Sequence, residues 1–190
     1  MGWFRKRAPS EPLAMTMTGM KLGDRLLVIG AGDPALIAAL AAKAGLTGRA
    51  CVIDADAARI ERATAAIERE GALVEAIAAP WTAMPYESAS FDIAVIRDVL
   101  ASMADDERSR VLLEVFRVLR AGGRAIIIDQ APRGGIAGLI GGRTIDRSYA
   151  EGGAEAALSA VGFAATRVLA ALEGMKFVEG AKRGDAAQGS

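Results

Sequence analysis

Two short apolar runs separated by one amphipathic segment constrain this chain more than any other feature. FDIAVI (91–96) is β-rich and long enough for a buried parallel strand. From Asp105 the apolar residues Val111, Leu112, Val115, Phe116 and Leu119 recur on one helical face, leaving Arg110, Glu114 and Arg117 largely outside it. Gly122 and Gly123 end that helix, expected over 105–120, where a left-handed backbone is needed. RAIIIDQ (124–130) then reads as a second buried strand. The same rhythm precedes it: strand 25–29, helix 34–44, strand 49–54, helix 56–70, strand 73–77. Alternation of this kind specifies a parallel sheet with helices on both faces. Later come a helix at about 151–161 and two β-type runs, ATRVLAAL and MKFVEGAK, split only by Glu173-Gly174. So tight a separation implies an antiparallel pair at the sheet edge.

The 190 residues suit one domain. With 52% hydrophobic but only 5% aromatic residues, its core is built from small aliphatic side chains. Lys plus Arg equals Asp plus Glu at 23 each, so no global field attracts nucleic acid. The absence of histidine removes the commonest general base and metal ligand. Cys51 is the single cysteine, in a strand-like run, and reads as a small buried apolar residue. No apolar run reaches membrane-spanning length, and no long apolar core follows the basic start, so a cytoplasmic protein is expected. Residues 1–20, with Trp3, Phe4 and Arg5–Arg7, form an extension expected to cover an edge or stay mobile; residues 184–190 are a polar tail.

Cofactor chemistry would be decided at RLLVIGAGDPALIAAL. Gly30 and Gly32 let the backbone turn sharply and approach a ligand closely. Pro34 suits the first turn of the next helix. GAGDPA fits the dinucleotide fingerprint with Ala35 in its last place. Asp54, at the end of the next strand, can accept two hydrogen bonds from a ribose diol. This half of the chain therefore fits an adenosine-type pocket of either an NAD or an S-adenosylmethionine (SAM) protein, and a purely structural turn would use the same glycines.

The order of MPYESASFD, the amphipathic helix and RVLRAGG resembles the second half of class I SAM-dependent methyltransferases, in the group with an LPF-x-D-x-SFD loop and an RVLKPGG helix end. Ala121 stands where that group has proline. The likeness spans residues 21–183, with the closing helix, the Gly162-Phe163 pair and the terminal strands. It implies a Rossmann-like, mostly parallel seven-stranded sheet in the order 3-2-1-4-5-7-6. It also implies SAM as cofactor, held by Gly30, Ala31, Gly32, Asp33, Asp54, Ala55, Trp81, Thr82 and Arg97. Three positions depart from the pattern: Val28 replaces an acid, Pro34 a glycine and Pro80 an aspartate. Asp33 is a candidate for the missing charge, and Trp81 for stacking on adenine or packing under its loop.

Methyl transfer needs chiefly alignment in a dry pocket, which lowers a barrier by roughly 7–11 kcal/mol in ideal cases, so histidine is not obligatory. Ligands of open α/β sheets bind beyond the carboxyl ends of the strands. Asp98 is accordingly the candidate base or substrate contact, with a helix-capping role as its structural alternative. Arg97, Asp129, Gln130 and Tyr149 lie in the same zone, and Asp92 of the SFD motif is expected to support its strand. The acceptor is expected to be a small molecule. The glycine-rich stretch 131–148, with Ile136, Leu139 and Ile140, is the candidate contact for a second copy or a partner subunit. A non-catalytic protein of the same fold is the alternative function, and an NAD-binding oxidoreductase the third, though no Tyr-x-x-x-Lys pair accompanies the turn.

Overall fold

The five parallel strands and their crossovers form as the alternation requires. In the computed structural model, residues 11–130, 149, 153–172 and 174–184 are described. Strands β1 (Arg25–Ile29), β2 (Arg49–Asp54), β3 (Glu75–Ala78), β4 (Phe91–Arg97) and β5 (Leu119–Gln130) are parallel, and β6 (Ala165–Leu172) and β7 (Met175–Ala181) are antiparallel additions. The sheet order is β3-β2-β1-β4-β5-β7-β6, as the family resemblance implied.

Alternation along each strand divides the core in two. Leu27, Ile29, Ile96, Ala125 and Ile127 face one layer, covered by α4 (Asp105–Val118) and α5 (Ala154–Ala160). Leu26, Val28, Val95, Ile126 and Ile128 face the other, covered by α1 (Glu11–Thr18), α2 (Pro34–Ala44) and α3 (Ala57–Arg69). Cys51 is fully buried in the first layer, and burial pushes its thiol up to about 11, which makes it inert.

Local details differ from the sequence reading. Helix α1 forms inside the stretch expected to be an extension, and packs on α2. Helix α4 stops at Val118, two residues early, because Leu119 turns extended (φ −75°, ψ 135°) and bridges to Phe91. Gly122 then makes a left-handed turn (φ +73°) within the strand that follows rather than capping the helix. Strand β3 runs 75–78 instead of 73–77. Glu114 and Arg117, placed outside the helix's apolar face, hold the MPY loop: Glu114 accepts from Met84 N–H at 2.8 Å, and Arg117 donates to Tyr86 O at 2.8 Å and Met84 O at 3.1 Å. Trp3, Phe4, Arg5–Arg7, Ile136, Leu139 and Ile140 lie outside the described residues. Among the described residues no helix is long and apolar enough to cross a membrane.

Candidate active site at the carboxyl ends of the strands

At the top of β1 the chain turns on Gly30, whose φ of +96° favours glycine. A side chain there would also meet Val99 Cγ2 at 2.7 Å, so this glycine is required by packing within the chain. Gly32 differs: a Cβ added to it has nothing within 4 Å, leaving an open cradle beside the backbone. Gly30 N–H donates to Ile53 O at 2.9 Å and Ala31 N–H donates to Asp54 Oδ2 at 2.9 Å, which ties the turn to the end of β2.

Asp54 is buried (1% exposed) and already partnered. Its Oδ1 accepts from Asp56 N–H at 2.9 Å, and Arg59 Nη1 reaches Oδ2 at 3.3 Å. A carboxylate offers about four acceptor positions, so one remains, and a second opens if the half-exposed Arg59 swings away. Ala55 is exposed next to it. Trp81 donates from Nε1 to Ile53 O at 3.3 Å and packs on the core, with half-buried Thr82 following. Its ring is thus fixed over the end of β2, and packing under the loop accounts for at least part of it.

Asp33 caps α2, accepting from Leu36 N–H at 3.1 Å, with Pro34 in the first turn. Its other oxygen, Oδ2, lies 2.5 Å from Arg97 Nη1 across the ends of β1 and β4. That contact is an ion pair without hydrogen-bond alignment, and Arg97 Nη1 is a buried donor with no aligned acceptor. Val28, by contrast, is buried between Val52 and Val95 in the strand register; the acid expected at this position is replaced by core.

Asp98 sits in a left-handed conformation (φ +53°), which Asp tolerates better than most residues. It does not cap the short 3₁₀ turn Leu100–Ser102, which has no side-chain cap. Instead its N–H donates to Ile128 O at 3.0 Å and its Oδ1 accepts from Gln130 N–H at 3.1 Å, locking the ends of β4 and β5 together. Arg97 Nε lies 3.6 Å from Asp98 Oδ2. The carboxyl ends of β1, β4 and β5 are thus joined by one polar line: Asp33, Arg97, Asp98 and the Gln130 amide.

A wide cleft of about 510 Å³ opens at the other end of the sheet, lined in part by Leu46, Arg49, Leu73 and Glu75. None of the residues singled out for chemistry lies there. Among the described residues no group of His, Cys, Asp and Glu is arranged to hold a metal ion.

The model of the methyltransferase domain family matches residues 27–127, just over half of the chain. The chain belongs to the methyltransferase domain family. SAM is the cofactor that goes with this family. Solved structures agree in fold. A SAM-dependent methyltransferase from Aquifex aeolicus is 19% identical with a TM-score of 0.77, covering 92% of this chain and 93% of that one. SAM-dependent methyltransferases from Methanosarcina mazei give 22% identity and a TM-score of 0.68, covering 92% and 98%. The [4+2]-cyclase SpnF is similar too, at 16% identity and a TM-score of 0.68, covering 92% and 80%. Identities this low speak to the fold alone. The comparison with curated proteins gives no match.

Proposed function

We propose that this methyltransferase-domain protein transfers the methyl group of SAM to a small-molecule acceptor. The observation that carries the reading is the open cradle at Gly32, set between the Asp33–Arg97 ion pair and the Asp54 carboxylate. The residues fit the cofactor in three respects. Asp33 and Arg97 are complementary to an ammonium and a carboxylate, so the aminocarboxylate end of SAM replaces the misaligned contact between them with two partners. The Gly32 backbone leaves room for the sulfonium-bearing chain. Asp54 receives a ribose hydroxyl at its free position, and Arg59, on the exposed side, yields the second.

When bound, the cofactor supplies an electrophilic methyl group. The chain's own residues bind and orient. Asp98, through its bonds to Ile128 and Gln130, fixes the distance between the ends of β4 and β5 and so the floor on which an acceptor rests. Trp81 closes the adenine side, with Ala55 and Thr82 at its rim. A second reading, a protein of this fold that does not transfer methyl groups, is favoured by Val28, which leaves β1 without its acid.

The test is binding of SAM, S-adenosylhomocysteine and NAD⁺ to the wild-type protein and to Gly32→Val. Gly32 has no left-handed φ and no neighbour within 4 Å, so the variant is expected to fold normally while losing at least a hundredfold in affinity for the two adenosyl ligands. Tight binding of NAD⁺ alone, or equal binding by wild type and a folded Gly32→Val, would overturn the proposal.

A further inference from the structure

Asp129, next to last in β5, lies on the same side as Ala125 and Ile127, the face covered by α4 and α5. Tyr149 is buried in that layer at 3% exposure. Arg108 of α4, itself buried, lays its guanidinium carbon 4.1 Å from the centre of the Tyr149 ring. Arg108 in turn is fixed by donating to Leu100 O at 3.2 Å, Met103 O at 2.7 Å and Asp105 Oδ1 at 2.6 Å. The ring is therefore clamped, and its hydroxyl acts directly on the Asp129 carboxyl. Yet Asp129 Oδ1 and Tyr149 Oη are both shut off from solvent, and neither has a hydrogen-bond partner of normal geometry. Two such atoms side by side are exceptional in a folded protein, and the methyltransferase reading as built from Gly32, Asp33, Asp54 and Arg97 does not use them.

Resting on that reading, we propose that Asp129 and Tyr149 form the acceptor subsite, which takes a small neutral molecule through a hydroxyl group. Tyr149 Oη donates to the acceptor oxygen, and Asp129 Oδ1 accepts that oxygen's hydrogen. In the transfer the acceptor's O–H bond breaks and its proton passes to Asp129. The oxygen forms the new bond to the methyl carbon, and the electron pair of the broken C–S bond stays on sulfur. Arg108 is a positioning residue, holding the Tyr149 ring from behind.

The electrostatics suit these roles. Burial pushes Asp129 up to about 6; Tyr149 and the charges of Arg108 on α4 and Lys176 on β7 pull it down, and Asp98 after β4 pushes it up. It is a stronger base than an ordinary carboxylate and still ionised above neutrality. Tyr149 is held above its usual range by burial, by the Asp129 charge and by its contact with that carboxyl, and so keeps the proton it donates.

Phenol serves as the probe, with anisole as its counterpart lacking the O–H. Each is titrated by calorimetry into the protein alone and into the protein saturated with S-adenosylhomocysteine. Phenol is expected to bind saturably and at least tenfold tighter than anisole. Asp129→Ala should remove that preference and Tyr149→Phe should weaken phenol and anisole alike, each leaving S-adenosylhomocysteine affinity within twofold. No saturable phenol binding, equal binding of anisole by the wild type, or an unchanged preference in the Asp129 variant would overturn the subsite. Loss of S-adenosylhomocysteine binding in the wild type would instead sink the cofactor reading, and is read on the same samples.

Discussion

Two aspartates on neighbouring strands show how the two ends of the sheet differ. Asp92 is the second residue of β4, and Asp129 is next to last in β5. Asp92 Oδ2 accepts from Arg25 N–H at 2.7 Å and Nε at 3.1 Å, and Arg120 donates to Oδ1. Burial alone would raise its pKa, but these bonds win and hold it at about 2. At Asp129 burial wins instead, its Oδ1 has no well-aligned hydrogen-bond partner, and the carboxyl is held at about 6. The amino end of the sheet spends its charges on holding strands together. The carboxyl end keeps polar atoms poorly partnered, where a ligand can satisfy them. Unmet polar groups cost stability; among the described residues Arg97 Nη1, Asp129 Oδ1 and Tyr149 Oη gather at the carboxyl end, while a fourth, Tyr86 Oη, lies beside Phe91 at the amino end.

The largest expected effect breaks the comparison from the carboxyl end. The Asp129 pKa is raised in the folded protein, so its contribution is favourable at low pH and is lost as pH rises from about 4 through about 6. Asp129→Asn should therefore stabilise the protein above pH 7 by roughly 3 kcal/mol, at about 1.4 kcal/mol per pKa unit. That gain should vanish near pH 4. Urea unfolding at both pH values checks it, and a loss of stability at pH 8 would mean that the carboxylate has a partner.

Asp92 should behave in the opposite sense. Its pKa is depressed, so its stabilisation is present above about pH 4 and lost as pH falls toward 2. Asp92→Ala should cost about 2 kcal/mol at pH 7 and leave ligand affinity unchanged. The same denaturation series reads both variants, and equal pH profiles would erase the distinction between the two ends.

Arg97 sharpens the comparison within the site. Arg97→Met should weaken S-adenosylhomocysteine about tenfold, the size of one charge-assisted hydrogen bond. It should leave methylthioadenosine, which lacks the aminocarboxylate, unaffected. Equal losses for both ligands in a calorimetric titration would place Arg97 away from the carboxylate.

Much of this was legible in the sequence, and the reasons are physical. Runs such as FDIAVI and RAIIID carry their burial in their composition, and the helical stripe 111, 112, 115 carries its own, so element order followed; the sheet order came from the resemblance to class I methyltransferases. Helix α1 escaped because eight residues, EPLAMTMT, are too short for a firm periodicity. Arg108 had a signal that was available: it precedes Val111, Leu112 and Val115 by three, four and seven residues, on their own face of α4. The partners of Asp33, Asp98 and Asp129 come from distant strands and helices, and side-chain direction at strand ends is set by packing. That Gly30 is enclosed by Val99 while Gly32 is open is likewise a tertiary fact.

The most direct measurement is a titration of ¹⁵N-labelled protein with S-adenosylhomocysteine, following amide shifts. The expected result is saturable shifts at Gly30–Asp33, Asp54–Asp56 and Arg97–Asp98, with Arg25, Asp92 and Arg120 unmoved. No shifts at millimolar ligand, or shifts confined to the Leu46–Leu73 cleft at the amino end, would contradict the assignment of the carboxyl end as the binding end.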